Sequence, residues 1–236
     1  MGYDNDWGKR FDPQTGRLEK NAPSSCTVDS LVGLSGFRTI VADPPWRPIL
    51  HANNPRRATA DLAGPQKHYP TMLLGDILSM NVPSAKQCHL YLWVVTQHVE
   101  WGCRVARAWG FKEVVTMLTW CKPGAGCGRF MCNTEHVLVC RKGTRSGNPF
   151  GLSGQFAPAT IGTWFNWPRG RHSEKPAAFF DIVERISPGP YLEMFARRPR
   201  EGWTVWGNEV EANISIRAIE EQANAKVDAP SGASAE

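Results

Sequence analysis

The chain has 236 residues, 42% of them hydrophobic, and 27 Lys and Arg against 22 Asp and Glu give it a net charge of +5. That length suits one sizeable α/β domain with a substantial core, and no apolar stretch approaches the ~20 residues needed to cross a bilayer as a helix. Seven cysteines behind a polar N-terminus without a signal-like segment argue against a secreted disulfide framework and for reduced thiols in a cytoplasmic protein, while the modest basic excess favours an anionic partner such as nucleic acid.

Residues 1–24 are polar and without periodicity, and are expected to form a flexible N-terminal arm. The main domain is expected over 25–222, and the Ala, Ser, Gly and Pro content of 223–236 reads as a disordered tail. Within the domain, Phe37–Ala42 is predicted as a strand and 72–80 as a short helix N-capped by Thr71. Residues 88–95 have the near-continuous apolar character of a buried strand. A helix over 97–109 is expected to follow, capped by Thr96 and stopped by Gly110. Strands are predicted over 111–120 and 135–140, joined by a Gly-rich loop, then a helix over 176–186 with Pro176 in its first turn. Strands at 191–196 and 203–206 and a last helix from Glu209 to about Glu221 complete the pattern. Such alternation predicts a sheet covered by helices on both faces.

The most informative segment is Asp43-Pro44-Pro45-Trp46, directly after the first of these strands. A carboxylate and a proline carbonyl can each accept one N–H of an amino group. The prolines fix φ and hold those acceptors in place, and Trp46 offers a stacking face for a flat heterocycle. Acidic and amide groups at the carboxyl ends of the late strands, Glu193, Arg197, Asn208 and Glu209, stand where an open α/β sheet binds ligands and can grip a ribose diol.

Two other patterns carry less. Gly124-Ala125-Gly126-Cys127-Gly128 is followed by no helical pattern, so it lacks the geometry of a phosphate-binding loop. Cys127, Cys132, His136 and Cys140 lack a tight C-x-x-C knuckle, and no metal site is expected. Basic clusters at Arg56-Arg57 with Lys67, Arg141-Lys142 with Arg145, Arg169 with Arg171, and Arg197-Arg198 with Arg200 would form a phosphate-binding collar if their loops shared one rim. Trp164, Phe165 and Trp167 stand beside the third of these and could stack on bases.

The order of DPPW, Tyr91-Leu92-Trp93-Val94-Val95, Trp120-Cys121-Lys122, Glu135-His136, HSEKP at 172–176, YLEMFAR at 191–197 and GWTVWGNE at 202–209 resembles the MT-A70 family of S-adenosylmethionine-dependent adenine N6-methyltransferases. The resemblance covers about residues 37–210. It implies a Rossmann-like three-layer α/β/α methyltransferase sheet with the catalytic motif ahead of the cofactor motif. It further implies Asp43, Pro44, Pro45 and Trp46 as the catalytic tetrapeptide, and Lys175, Glu193, Phe195, Arg197, Asn208 and Glu209 as cofactor positions. Cys26 and Thr27 fall near the adenine end of the cofactor by spacing alone, with Asp29 as a substitute after a shift. Tyr69, Lys122, Glu135 and His172 fall on the substrate side. The compact form resembles bacterial and phage members usually linked to DNA, with room for a homodimer. An RNA adenine methyltransferase and a non-catalytic nucleic-acid-binding subunit of the same fold are the alternatives.

Overall fold

The computed structural model describes residues 9–12, 17–20, 36–47, 71–124, 132–143, 161–170, 174–208 and 210. Lys9–Asp12 (β1) and Arg17–Lys20 (β2) pair antiparallel as a small sheet of their own. Both strands fall within the expected N-terminal arm, where the sequence predicts no element because strand pairing across a short connection does not need apolar alternation.

The main sheet contains β3 (Phe37–Ala42), β4 (Ser84–Val94), β5 (Glu113–Cys121), β6 (Thr134–Lys142), β7 (Trp164–Phe165), β8 (Tyr191–Met194) and β9 (Trp203–Trp206). Their spatial order is β7-β5-β6-β4-β3-β8-β9. Every neighbouring pair runs parallel except those made by β6, which is antiparallel to both β4 and β5. Side-chain alternation along β4 divides the core. Leu90, Leu92 and Val94 face one layer with Ile77, Val105 and Trp109, whereas Tyr91 and Trp93 face the other with Phe179, Phe180 and Val183. The first layer is supplied by α1 (Leu74–Leu78) and α2 (Val99–Ala108), the second by α3 (Ala177–Ile186). Helices therefore cover both faces, as the alternation predicts.

Boundaries shift where tertiary contacts outweigh local signals. Met72 joins a parallel bridge to Trp46 instead of a helix, so α1 starts at Leu74 and Thr71 caps nothing. Thr96 opens a 3-10 turn through His98, and its hydroxyl meets His136 Nε2 at 3.1 Å rather than capping α2. Gly110 does stop α2: with φ +87, its N–H reaches the Arg107 carbonyl and the Phe111 N–H the Ala106 carbonyl, the paired bonds of a Schellman end. Pro176 sits at the N-cap of α3, one residue before the first helical turn. Strand β7 was unforeseen, since two residues carry no periodicity. The last predicted helix lies outside the described residues.

Parallel β8 and β9 are joined by residues 195–202 alone, too few for a crossover helix. The left-handed residues Phe195 (φ +63) and Gly202 (φ +75) stand at the two ends of this return. On one side of β3 the sheet continues through β4, and on the other through β8, so a crevice opens between the carboxyl ends of β3 and β8. Among the described residues no helix is long and apolar enough to cross a membrane.

Candidate active site

Asp43 leaves the end of β3 at this crevice, and the residues after it are built as a rigid run of acceptors. Pro44 and Pro45 are buried, and neither contributes an N–H that would need a partner there. The Trp46 N–H donates to the Pro44 carbonyl at 2.8 Å, and the Met72 N–H donates to the Pro45 carbonyl at 3.0 Å. Each carbonyl keeps a second lone pair. The Trp46 indole N–H donates to the Trp93 carbonyl at 2.9 Å, which pins the ring to β4.

Four charged side chains from separate elements form an alternating line. Lys175 Nζ lies 2.8 Å from Asp43 Oδ2 and 3.0 Å from Glu135 Oε2, and 4.9 Å from the centre of the Trp93 ring. Glu135 Oε1 in turn accepts from Lys122 Nζ at 2.7 Å. Lys175 stands immediately before α3, where the following Pro176 restricts its backbone to extended conformations. Glu135 reaches the same edge because β6 runs backwards, so that its first residues lie beside the last residues of β4 and β5.

The line sorts its two carboxylates. Burial pushes the Asp43 carboxyl above the ordinary carboxylate range, against the opposing pull of Lys175, and the charge of Glu135 adds to the rise. Burial also opposes the charge of Glu135, but Lys175 and Lys122 outweigh it and bring its pKa down to about 2. Burial disfavours the Lys175 ammonium too, yet Asp43 and Glu135 hold it above the usual lysine value. Glu135 therefore stays ionised while Asp43 is the weaker acid of the two.

On the other side of the crevice, Glu193 Oε2 of β8 is buried and ion-paired with Arg200 Nε at 3.9 Å, and neither atom has a hydrogen-bond partner among the described residues. Burial raises the Glu193 carboxyl to about 7, with Arg200 opposing and Asp43 reinforcing. The Arg200 guanidinium lies 3.6 Å over the Phe180 ring. Phe195 holds its left-handed backbone beside the site, a sparsely populated conformation of the kind that clusters where ligands are clamped. Its ring meets Trp206 edge-on at 5.3 Å. Past β9, Gly207 lies so near Ala196 that a Cβ would come within 2.1 Å of the Ala196 carbonyl oxygen. Only glycine admits this approach, which sets the exposed Asn208 at the same edge.

Asp43, Trp46, Lys122, Glu135, Lys175, Glu193 and Phe195 thus share the carboxyl edge of the sheet, with Asn208 at its end. Arg197 follows on the same side and acts electrostatically on Asp43. Cys26, Thr27, Tyr69, His172 and Glu209 lie outside the described residues. His136 is held through both ring nitrogens, by Thr96 and Thr119 at 3.1 Å each, and Cys140 is buried in β6. Among the described residues no group of three or more metal-ligating side chains converges.

The basic collar is corrected in one part. The reversed direction of β6 carries Arg141 and Lys142 to the opposite edge of the sheet, where Arg141 pairs with Glu113 and Lys142 Nζ donates to Ser84 Oγ at 2.8 Å. Of the three aromatics at 164–167, Phe165 and Trp167 stack on each other at 4.3 Å, and the Trp167 carbonyl accepts from Trp120 Nε1. Trp164 alone projects outward, 65% exposed. Sequence reasoning missed His98, whose part depends on contact with Trp46, and it placed Arg200 in the basic collar without its contact to Glu193, since no local spacing announces either.

A family model described as MT-A70 matches residues 37–209, a span that holds all seven strands of the main sheet. Over 191 residues the chain is 29% identical to the Type II methyltransferase M.MunI of a Mycoplasma species, covering 75% of this chain and 79% of that one. It is 26% identical over 191 residues to the human N(6)-adenosine-methyltransferase catalytic subunit METTL3, and 26% identical over 198 residues to the human N(6)-adenine-specific methyltransferase METTL4. Those matches cover 75% and 79% of this chain but 29% and 40% of the two relatives, so the chain spans well under half the length of either. With a Rossmann-like α/β sheet and the matched span running from the strand before DPPW through GWTVWGNE, the chain belongs to the MT-A70 family.

Proposed function

We propose that the protein transfers a methyl group from S-adenosylmethionine to the exocyclic N6 amine of adenine in nucleic acid, with DNA favoured over RNA. The observation that carries this reading is Asp43 at the switch point of the sheet, on an acceptor-only backbone braced from β4 and from Met72.

The crevice fits the cofactor through its own unmet needs. Glu193 Oε2 is buried without a hydrogen-bond donor among the described residues, and a ribose diol or an ammonium supplies donors. Glu193, Asn208, Phe195 and Arg197 would hold the cofactor, with Lys175 beside it while bonded to Asp43 and Glu135. When bound, S-adenosylmethionine supplies an electrophilic methyl group on a sulfonium.

The residues of the chain handle the amine. Its lone pair is delocalised into the adenine ring, which makes it a poor nucleophile. Asp43 and the free lone pair of the Pro44 carbonyl accept its two N–H bonds and favour a pyramidal, more nucleophilic nitrogen. Trp46 holds the base in plane. Lys122 and Glu135 line the substrate side, and Lys175 keeps Asp43 in register with them. After transfer the product ammonium gives its proton to Asp43, the weaker acid of the site, and from there to solvent. An adenine inside a duplex must leave the stack to reach Asp43, so unpaired adenines react faster.

DNA is favoured because the match to the Type II methyltransferase M.MunI covers most of both chains. The test is methyl transfer from radiolabelled cofactor to oligodeoxyribonucleotides and oligoribonucleotides of one sequence. Asp43→Ala is expected to lose transfer by at least about a hundredfold while cofactor binding stays within a few-fold. A folded, fully active Asp43→Ala protein overturns the reading, and transfer to RNA alone overturns the preference for DNA.

A further inference from the structure

Behind the tetrapeptide lies a buried histidine that the proposed chemistry leaves unused. His98 ends the 3-10 turn after β4 and is 3% exposed. Its Nε2 lies 2.9 Å from the Arg47 carbonyl. Because a carbonyl only accepts, that nitrogen carries the proton. The ring stacks on Trp46 with centroids 5.7 Å apart and planes 16° from parallel, and Trp101 of α2 meets it edge-to-face at 4.8 Å. Among the described residues its buried Nδ1 has no hydrogen-bond partner, and burial holds the imidazole below its ordinary pKa.

We infer that His98 is a positioning residue of the methyl-transfer site, which grips the Arg47 carbonyl and backs the Trp46 ring so that the tetrapeptide meets the target base at one fixed tilt. The bond to the Trp93 carbonyl holds an edge of the indole, the bridge to Met72 holds the backbone, and the ring also packs against the core. His98 adds a stacked ring on one face, and its bond to Arg47 fixes the residue after the ring. Trp93 and His98 belong to one short stretch of chain, so edge and face move together. The same Trp93 lies under Lys175, which ties the orientation of the base platform to the charge line at Asp43.

This inference rests on the proposed function, and its test separates the two. Methyl transfer to an adenine-containing oligodeoxyribonucleotide and calorimetric binding of S-adenosylmethionine are measured for the unmodified protein and for Asp43→Ala, His98→Ala, His98→Phe and His98→Gln. His98→Ala is expected to lower kcat about ten- to a hundredfold, with cofactor Kd within twofold. His98→Phe restores the stacked face and His98→Gln restores the donor, so each is expected to recover part of the loss. Wild-type kcat in folded His98→Ala, or an equal loss of cofactor binding, overturns the inference while leaving the Asp43 reading intact. Should His98→Ala fail to fold, the other two decide: reduced kcat with unchanged cofactor Kd in both supports it, and wild-type kcat in both overturns it. An inactive unmodified protein sinks the function on which it stands.

Discussion

Glu193 shows how one residue links stability to ligand need. Its pKa of about 7 stands above the ordinary 4.5, because burial outweighs the attraction of Arg200. A carboxyl raised in this way contributes stability that is fully present below about 4.5 and is lost as pH rises through about 7. The ligand-free protein is therefore expected to lose thermal stability between pH 5 and 8 in part through this group. Glu193→Gln should flatten that part of the Tm profile and weaken cofactor binding; an unchanged profile contradicts the assignment. At this scale the sequence was most legible where chemistry is local. Asp43, Lys175 and Glu193 could be named from their motifs, and the structure brings them to one crevice. His98 could not, since its neighbours Arg47 and Trp46 lie about fifty residues away in the chain.

Elements were legible where apolar runs or glycine stops dominate, as in β3, β9 and the end of α2. They were misread where a polar residue serves a distant partner, as when Thr96 turns to His136 instead of capping a helix. The β8–β9 pair depends on a single absent side chain. A Cβ at Gly207 would overlap the Ala196 backbone, whose N–H bonds the Trp206 carbonyl at 2.9 Å. Gly207→Ala is expected to cost about 2–3 kcal/mol, read as a lower urea midpoint at unchanged m-value, and to weaken cofactor binding with it. A midpoint within error of the unmodified protein would show that the two strands yield without penalty.

For the whole molecule, strand direction decides what composition cannot. The reading of the basic pairs as one collar failed at Arg141-Lys142 because β6 is reversed, a property that no window of residues reports. Arg56, Arg57, Lys67, Arg145 and Arg171 lie outside the described residues, and among those described the carboxyl edge keeps Arg169 and the Arg197–Arg200 segment, with Trp164 exposed on the outermost strand. Four strand spacings of ~4.8 Å separate β7 from β3, enough to meet bases flanking the one at Asp43. Binding of a single-stranded oligonucleotide is expected to weaken with salt along a linear log–log slope. Trp164→Ala is expected to lose about five- to fiftyfold in affinity with cofactor binding unchanged. Anisotropy titrations across a salt series check both, and a flat slope would exclude a phosphate-reading surface.

The line Lys122, Glu135, Lys175 and Asp43 draws its members from the end of β5, the start of β6, the approach to α3 and the end of β3. Fully ionised, it holds two positive and two negative charges, so its parity is even. Any lone neutralising exchange leaves an odd charge beside Asp43. A single substitution in this set is therefore expected to cost more than a compensating pair, although the four positions are scattered along the chain.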